Sequence, residues 1–346
     1  MKKLVVLLAA LALAGCGNDS DDAAESGTTT AAKQSGELVV YSGREEELVE
    51  PLFERFEEET GIDVDVRYAD SAELAATIAE EGGNSPADVF FAQDPGSLGA
   101  VDDQLAELPE GVLDRVAPEF RDSNGHWVGT SGRARVLVFN TDELTADEVP
   151  DSVFDLTDPT WKGKVGLPPT NASFQAFVTA MRLDVGDERT KEWLEALKEN
   201  DPKFYERNTP VVEAVASGEI EVGLVNHYYL YLVKAEQADA PIENKYLPGD
   251  DPGALVSVAG AGILESAEHP DAAERFVEFL LADEQQRFYT EEAEEAEIPL
   301  VEGIDSKEGV PTLEELAGRG PDVDLSSFGA ELEKTLELLN ETGYTS

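Results

Sequence analysis

Cysteine is almost missing from this chain. There is one, Cys16, among 346 residues, which excludes an intrachain disulfide framework and a cysteine-built zinc site. Histidine is nearly as scarce, with three. His126 and His269 have no metal-like spacing and read as surface or capping residues, and His227 reads as a supporting residue at most. Basic residues are few, 25 against 74 acidic ones, for a formal net charge of -49. That excludes a basic nucleic-acid groove and a basic patch for anionic lipid. After the first residues no apolar run is long enough to span a bilayer. Also missing are a Gly-x-Ser-x-Gly elbow, a P-loop, a His-Glu-x-x-His pair and a dinucleotide fingerprint. No enzymatic activity is therefore expected, and acid pairs are too common here to mark a catalytic site.

What is present begins with a leader. Met1-Lys2-Lys3 is a charged start, and an apolar segment follows as far as Leu13-Ala14-Gly15-Cys16. Residues 1–15 read as a secretory signal peptide. Small residues before the cysteine resemble a bacterial lipobox, so Cys16 is expected to carry lipid and hold the protein extracytoplasmically on the cell membrane. Residues 16–35, rich in Asn, Asp, Ser, Thr, Ala and Gly, read as a flexible tether.

From residue 36 the chain alternates strand and helix signals. Leu38-Val39-Val40-Tyr41 is a short buried strand. Leu48, Val49, Leu52, Phe53 and Phe56 follow at helical spacing, and Gly61 closes that helix. Val64, Val66 and Tyr68 alternate as a strand. Asp70 and Glu73 have capping-box spacing before a helix over 71–81. Asp88-Val89-Phe90-Phe91-Ala92 is another buried strand. This order predicts an α/β fold of mostly parallel, mixed sheets flanked by helices. Further strands are expected over 132–140, 163–168 and 220–225, with helices over 174–183, 189–198, 271–281 and 325–339. Thr209-Pro210 reads as a helix start, Thr209 as cap and Pro210 at the first position. So many units predict two lobes, 36–130 with 256–310 and 131–255 with 311–346, joined by hinge crossings around a cleft.

The stretch carrying the most chemistry is Asn226-His227-Tyr228-Tyr229. It ends a strand and opens an amphipathic helix. Phenolates are hard, anionic donors suited to hard, highly charged cations, and such a cation lowers the proton affinity of its own ligands. Two at one corner suit iron(III). On the dipeptide alone, aromatics packed at a helix start are the plainer reading.

The chain resembles the ferric-iron-binding branch of the extracytoplasmic solute-binding proteins of ABC importers, with the two-lobed type II periplasmic-binding-protein fold. The motifs carrying the resemblance include Leu38-Val39-Val40-Tyr41-Ser42-Gly43-Arg44, Pro86-Ala87-Asp88-Val89-Phe90-Phe91-Ala92-Gln93, Ser131-Gly132-Arg133-Ala134-Arg135, Asn208-Thr209-Pro210 and Leu224-Val225-Asn226-His227-Tyr228-Tyr229. Together they cover nearly all of the chain after the tether. The resemblance implies a monomer that captures iron(III) between lobes and delivers it to permease and ATPase subunits, with Tyr228 and Tyr229 as ligands.

The chain departs from the family at the remaining ligand positions. Glu45 and Glu46 stand where histidine, or histidine and tyrosine, often follow the Tyr-Ser-x-Arg turn. Gln93 replaces a glutamate, and Asn171 replaces a tyrosine. Glu45 is kept as a candidate ligand beside its reading as a solvated first-turn acid. Tyr41 and Tyr205 are further candidates that read equally as packing residues. With side-chain ligands short, carbonate or phosphate is expected to complete the shell, held by Arg44, Arg133, Ser42 and Gly43. The reading against this is that the arginines are structural ion pairs, Arg135 above all. Gln93, Asn171 and Asn226 are expected to line the cleft. The alternative cargo is an organic or phosphorylated anion such as a phosphonate or sugar phosphate, contacting Arg44, Arg133 and Asn226, or else a polyamine or thiamine.

Overall fold

The computed structural model describes residues 37–292, 296–316 and 319–345. The expected leader, the lipidated Cys16 and the tether lie outside the described residues. Nine strands are described: β1 (Glu37–Ser42), β2 (Asp63–Tyr68), β3 (Val89–Ala92), β4 (Val128–Asn140), β5 (Val165–Leu167), β6 (Lys203–Phe204), β7 (Val222–Asn226), β8 (Ile242–Lys245) and β9 (Val256–Ile263). They run in the order β2-β1-β3-β9-β4-β7-β5-β6, with β8 paired to β4. The outer pairs β1–β2, β1–β3, β5–β7 and β5–β6 are parallel, as β-α-β connections require. Every pairing of β4 or β9 is antiparallel.

β4 organises the sheet. All thirteen of its residues are buried. Val128–Ala134 pairs with β9, whereas Arg135 onward pairs with β7 and from Leu137 also with β8. The strand thus changes partners between Ala134 and Arg135. It starts four residues before the sequence suggests, because Val128-Gly129-Thr130-Ser131 is small and polar and carries a register shift between Gly129 and Ser131. The edge strand β2 keeps its alternation, with Asp63, Asp65 and Arg67 exposed. Charged residues at an edge discourage pairing with another chain.

Helix α1 (Glu46–Thr60) buries Val49, Leu52, Phe53 and Phe56, the residues its spacing selects. Gly61 ends it in the left-handed conformation, its N–H donating to the Glu57 carbonyl. Helix α2 (Ser71–Glu81) starts where expected, but the Asp70 side chain makes no cap. Ser71 Oγ is turned to accept the Gln93 N–H at 2.9 Å. The next helices are α3 (Ala172–Val185), α4 (Asp187–Glu199) and α5 (Asn208–Ala216), which starts a residue before Thr209 with Arg207 in the cap position. They are followed by α6 (Tyr229–Glu236), α7 (Pro270–Leu280) and α8 (Phe328–Glu341). Phe276 of α7 stacks on Phe53 of α1 at 5.4 Å and meets Phe56 edge-on. No described helix is long and apolar enough to cross a membrane.

Helix α8 packs on α3 and on the short helix Pro95–Gly99. Buried Arg182 of α3 donates to the Glu331 carbonyl and to Thr335 Oγ1, and pairs with the Glu331 carboxylate at 2.7 Å. Backbones touch where Gly329 meets Gly99: a Cβ on Gly329 would lie 2.1 Å from a backbone carbon of Gly99. G329A is therefore expected to lower stability by roughly 1–3 kcal/mol, read as a lower thermal midpoint. An unchanged midpoint would show that the two helices separate at no cost.

Candidate metal and anion site

The candidate residues come from loops that follow the C-terminal ends of strands, the usual ligand position in open α/β sheets. β1 leads to Ser42-Gly43-Arg44-Glu45, β3 to Gln93, β5 to Asn171, β6 to Arg207 and Asn208, and β7 to the tyrosines. Arg133 and Arg135 sit on β4 where it changes partners.

β7 ends at Asn226, and Tyr228 already has helical backbone angles as the residue before α6. This sharp corner stacks the two phenol rings, with centroids 4.2 Å apart and planes inclined by 29°. Both tyrosines are fully buried, and neither hydroxyl has a hydrogen-bond partner outside the pair. Burial pushes the Tyr229 phenol up to about 12, helped by the Glu45 charge and opposed by a hydrogen bond with Tyr228 and by Arg133 and Arg44. Burial drives Tyr228 well above the ordinary value, with Tyr229 adding to the shift and Arg133 opposing it. Both are neutral at pH 7 without a cation. Hydroxyls without partners outside the pair are costly in a core.

His227 supports the corner. Its Nδ1 accepts the Ala134 N–H at 3.2 Å, and its Nε2 lies 2.9 Å from the Ala296 carbonyl. The carbonyl only accepts, so the proton is on Nε2. Burial lowers its pKa to about 4. A neutral ring with both nitrogens engaged is a strut rather than a ligand. His126 and His269 lie elsewhere, against Asp102 and Asp88.

The arginines divide differently from the sequence reading. Arg44 and Arg133 are buried, and both bind Glu297: Arg133 Nη2 to Oε1 at 2.6 Å and Arg44 Nη2 to Oε2 at 3.1 Å. Arg133 also donates to the Gln93 carbonyl and lies over the Tyr228 ring, 5.7 Å from its centroid. Burial raises the pKa of Glu297, but Arg133 and Arg44 outweigh it and hold the carboxyl below its usual range. Arg135 donates Nη2 to the Ser173 carbonyl and lies over the Phe177 ring. Its Nε and Nη1 are buried without partners. Burial brings its pKa down to about 9, which the two tyrosines oppose; it remains a cation at pH 7.

Asn226 stands opposite Arg135 in the β4–β7 register, and its Nδ2 is also buried without a partner. Asn208 Nδ2 reaches Asn171 Oδ1 at 3.1 Å, while Asn208 Oδ1 has no partner. Asn171 caps α3 through Ser173 and approaches Gln93 Oε1 at 3.4 Å. The structure thus brings Gln93, Asn171 and Asn208 together. Glu45 is half-buried; burial raises its pKa while Arg207 and Arg44 lower it.

Other expected residues are elsewhere or already engaged. The Tyr41 hydroxyl donates to Glu81 and accepts from Arg67. The Tyr205 hydroxyl donates to Glu219. Ser42 Oγ accepts the Arg44 N–H at 3.3 Å. The Gly43 N–H, expected to serve an anion, donates to the Phe91 carbonyl at 2.8 Å, because α1 begins only at Glu46. Gly43 is required by packing: a Cβ there would lie 2.0 Å from Ser71 Oγ. Sequence reasoning missed Glu297. It closes an acid-rich run, and its only signal in the sequence is its place between the apolar residues Ala296 and Ile298.

A family model described as bacterial extracellular solute-binding protein matches residues 84–312. The chain belongs to that family. It is 33% identical over 311 residues to an "Fe(3+)-binding periplasmic protein" of Serratia marcescens, covering 88% of this chain and 90% of that protein. Iron-bound HitA from Pseudomonas aeruginosa superposes with a TM-score of 0.84 at 33% identity, over 89% of this chain and 99% of HitA. A Trichodesmium protein in complex with iron and citrate gives 0.72 at 26% identity, over 90% and 100% of the two chains. The fold of this solute-binding protein is therefore the type II periplasmic-binding-protein fold, as its sequence suggests.

Proposed function

We propose that this solute-binding protein captures iron(III) and delivers it to the permease and ATPase subunits of an ABC importer, the machinery with which its family works. The observation that carries the reading is the stacked, fully buried Tyr228–Tyr229 pair, whose two hydroxyls have no partner outside the pair. The iron-binding relatives at about a third identity support it. Tyr228 and Tyr229 would bind as phenolates, with Glu45, within electrostatic reach of Tyr229, as a further oxygen ligand. Tyr41 and Tyr205 are left out, their hydroxyls being engaged with Glu81 and Glu219.

Charge argues for a bound anion. Arg44 and Arg133 share the buried Glu297 carboxylate, Arg133 is also within electrostatic reach of buried Asp94, and Arg135 has no carboxylate partner; iron(III) adds more positive charge than two phenolates remove. We assign the anion to the Arg135 guanidinium with Asn226 Nδ2, where buried donors lack partners. Carbonate or citrate-like carboxylates match a guanidinium edge. The lobes, 36–130 with 256–310 and 131–255 with 311–346, would close on cargo by bending where β4 changes partners, favoured by contacts made only when closed. Lipid on Cys16 would hold the protein at the membrane surface.

The test is equilibrium dialysis against chelated iron(III) with carbonate present. One iron per chain is expected, with much weaker retention after reduction to the softer iron(II). E45Q is expected to weaken binding about tenfold or more. The same three arginines favour a second reading, an organic anion as cargo. Tight binding of such an anion without iron, and no iron uptake, would establish it.

A further inference from the structure

We propose that Glu297 is a built-in counter-anion that occupies the Arg44–Arg133 seat and keeps exogenous anions out of it. The sequence marks those two arginines as an anion receptor, and the geometry shows what fills it. The carboxylate of Glu297 is fully buried and spends one oxygen on each guanidinium, at 2.6 and 3.1 Å. This is the bridging arrangement a small carboxylate or carbonate would adopt. The segment is fixed on both sides. Ile298 pairs with Gly132 of β4, exchanging N–H and carbonyl bonds at 2.9 and 2.7 Å, and the Ala296 carbonyl binds His227. Its backbone is therefore anchored to the strand that carries Arg133 and to the corner that carries the tyrosines.

A buried guanidinium pair needs an anion beside it. Supplying that anion covalently removes the entropy cost of recruiting one. It also leaves Arg135, with two nitrogens open against the single Nε of Arg133, as the guanidinium best placed for an exogenous anion, so one exogenous anion, not two, is expected to accompany the cargo. The cargo consequence rests on the iron(III) reading above; the occupancy of the seat does not.

The test is chemical replacement. In iron-free protein, E297A removes the carboxylate and leaves room for formate, which carries the same group. E297A is expected to lose thermal stability and to regain it as sodium formate is added, binding formate at least about tenfold more tightly than wild type. Sodium chloride at equal ionic strength controls for screening. Wild type binding formate as tightly as E297A, or E297A melting like wild type with no response to formate, would overturn the proposal. If E297A does not fold, E297S keeps an acceptor oxygen in the space and is judged by the same outcomes. With iron, E297A is expected to load fully only when formate or carbonate is supplied. Failure of wild type itself to bind iron would count against the iron reading and leave the formate result standing on its own.

Discussion

A protein with Tyr228 and Tyr229 both replaced by phenylalanine is expected to lose iron(III) binding while folding at least as stably as wild type. The two effects have one cause. Each hydroxyl is fully buried with no hydrogen-bond partner outside the pair, which costs about 1–3 kcal/mol in the cargo-free protein. Phenylalanine removes that cost and keeps the stacked ring area. If the tyrosines were merely core aromatics, their hydroxyls would be expected to find partners, and removing them would not touch cargo. The check is a pair of measurements on the double variant: metal retention after dialysis, and the thermal midpoint without iron. A midpoint equal to or above wild type with no bound iron is the expected result. A lower midpoint with iron binding intact would reverse the assignment. Stability given up for function in this way is common at binding sites.

Iron(III) affinity is expected to rise about a hundredfold per pH unit between pH 6 and 8. The sign follows from the free protein. Burial raises both phenol pKa values, Tyr229 to about 12 and Tyr228 well above the ordinary value. Both therefore carry their protons throughout this range and must release them to ligate the metal. Two protons released per iron make the logarithm of the affinity climb by about two for each pH unit. His227 does not contribute, because burial has lowered its pKa to about 4. Competition with a chelator, corrected for the chelator's own protonation, gives the slope. A slope near one would mean a single phenolate ligand, and a flat line would exclude both.

Much of this architecture was legible because periodicity carries it. Helix α1 buries Val49, Leu52, Phe53 and Phe56 and closes at Gly61, as spacing and glycine chemistry dictate. The tyrosine corner was legible for a similar reason, since a buried strand running into adjacent aromatics is a local pattern. What escaped is non-local. Glu297 meets Arg44 across 253 residues of chain, and nothing in an acid-rich run distinguishes the one carboxylate that is buried. The exchange of roles among the arginines has the same origin. Arg133 and Arg135 differ by two positions on one strand and so share a face. Only the fold shows that one meets Glu297 while the other meets a carbonyl and an aromatic ring. Asp70 and Glu73 had capping-box spacing, but Ser71 was drawn instead into the contact with Gln93 and Gly43.

The most direct test of the account is the visible absorption spectrum of the iron-free protein titrated with chelated iron(III) at neutral pH in the presence of carbonate. Coordination by Tyr228 and Tyr229 predicts a phenolate-to-iron charge-transfer band that saturates at one equivalent and is absent from the double phenylalanine variant. A folded wild-type protein that develops no band, or a band that survives in the double variant, would contradict it.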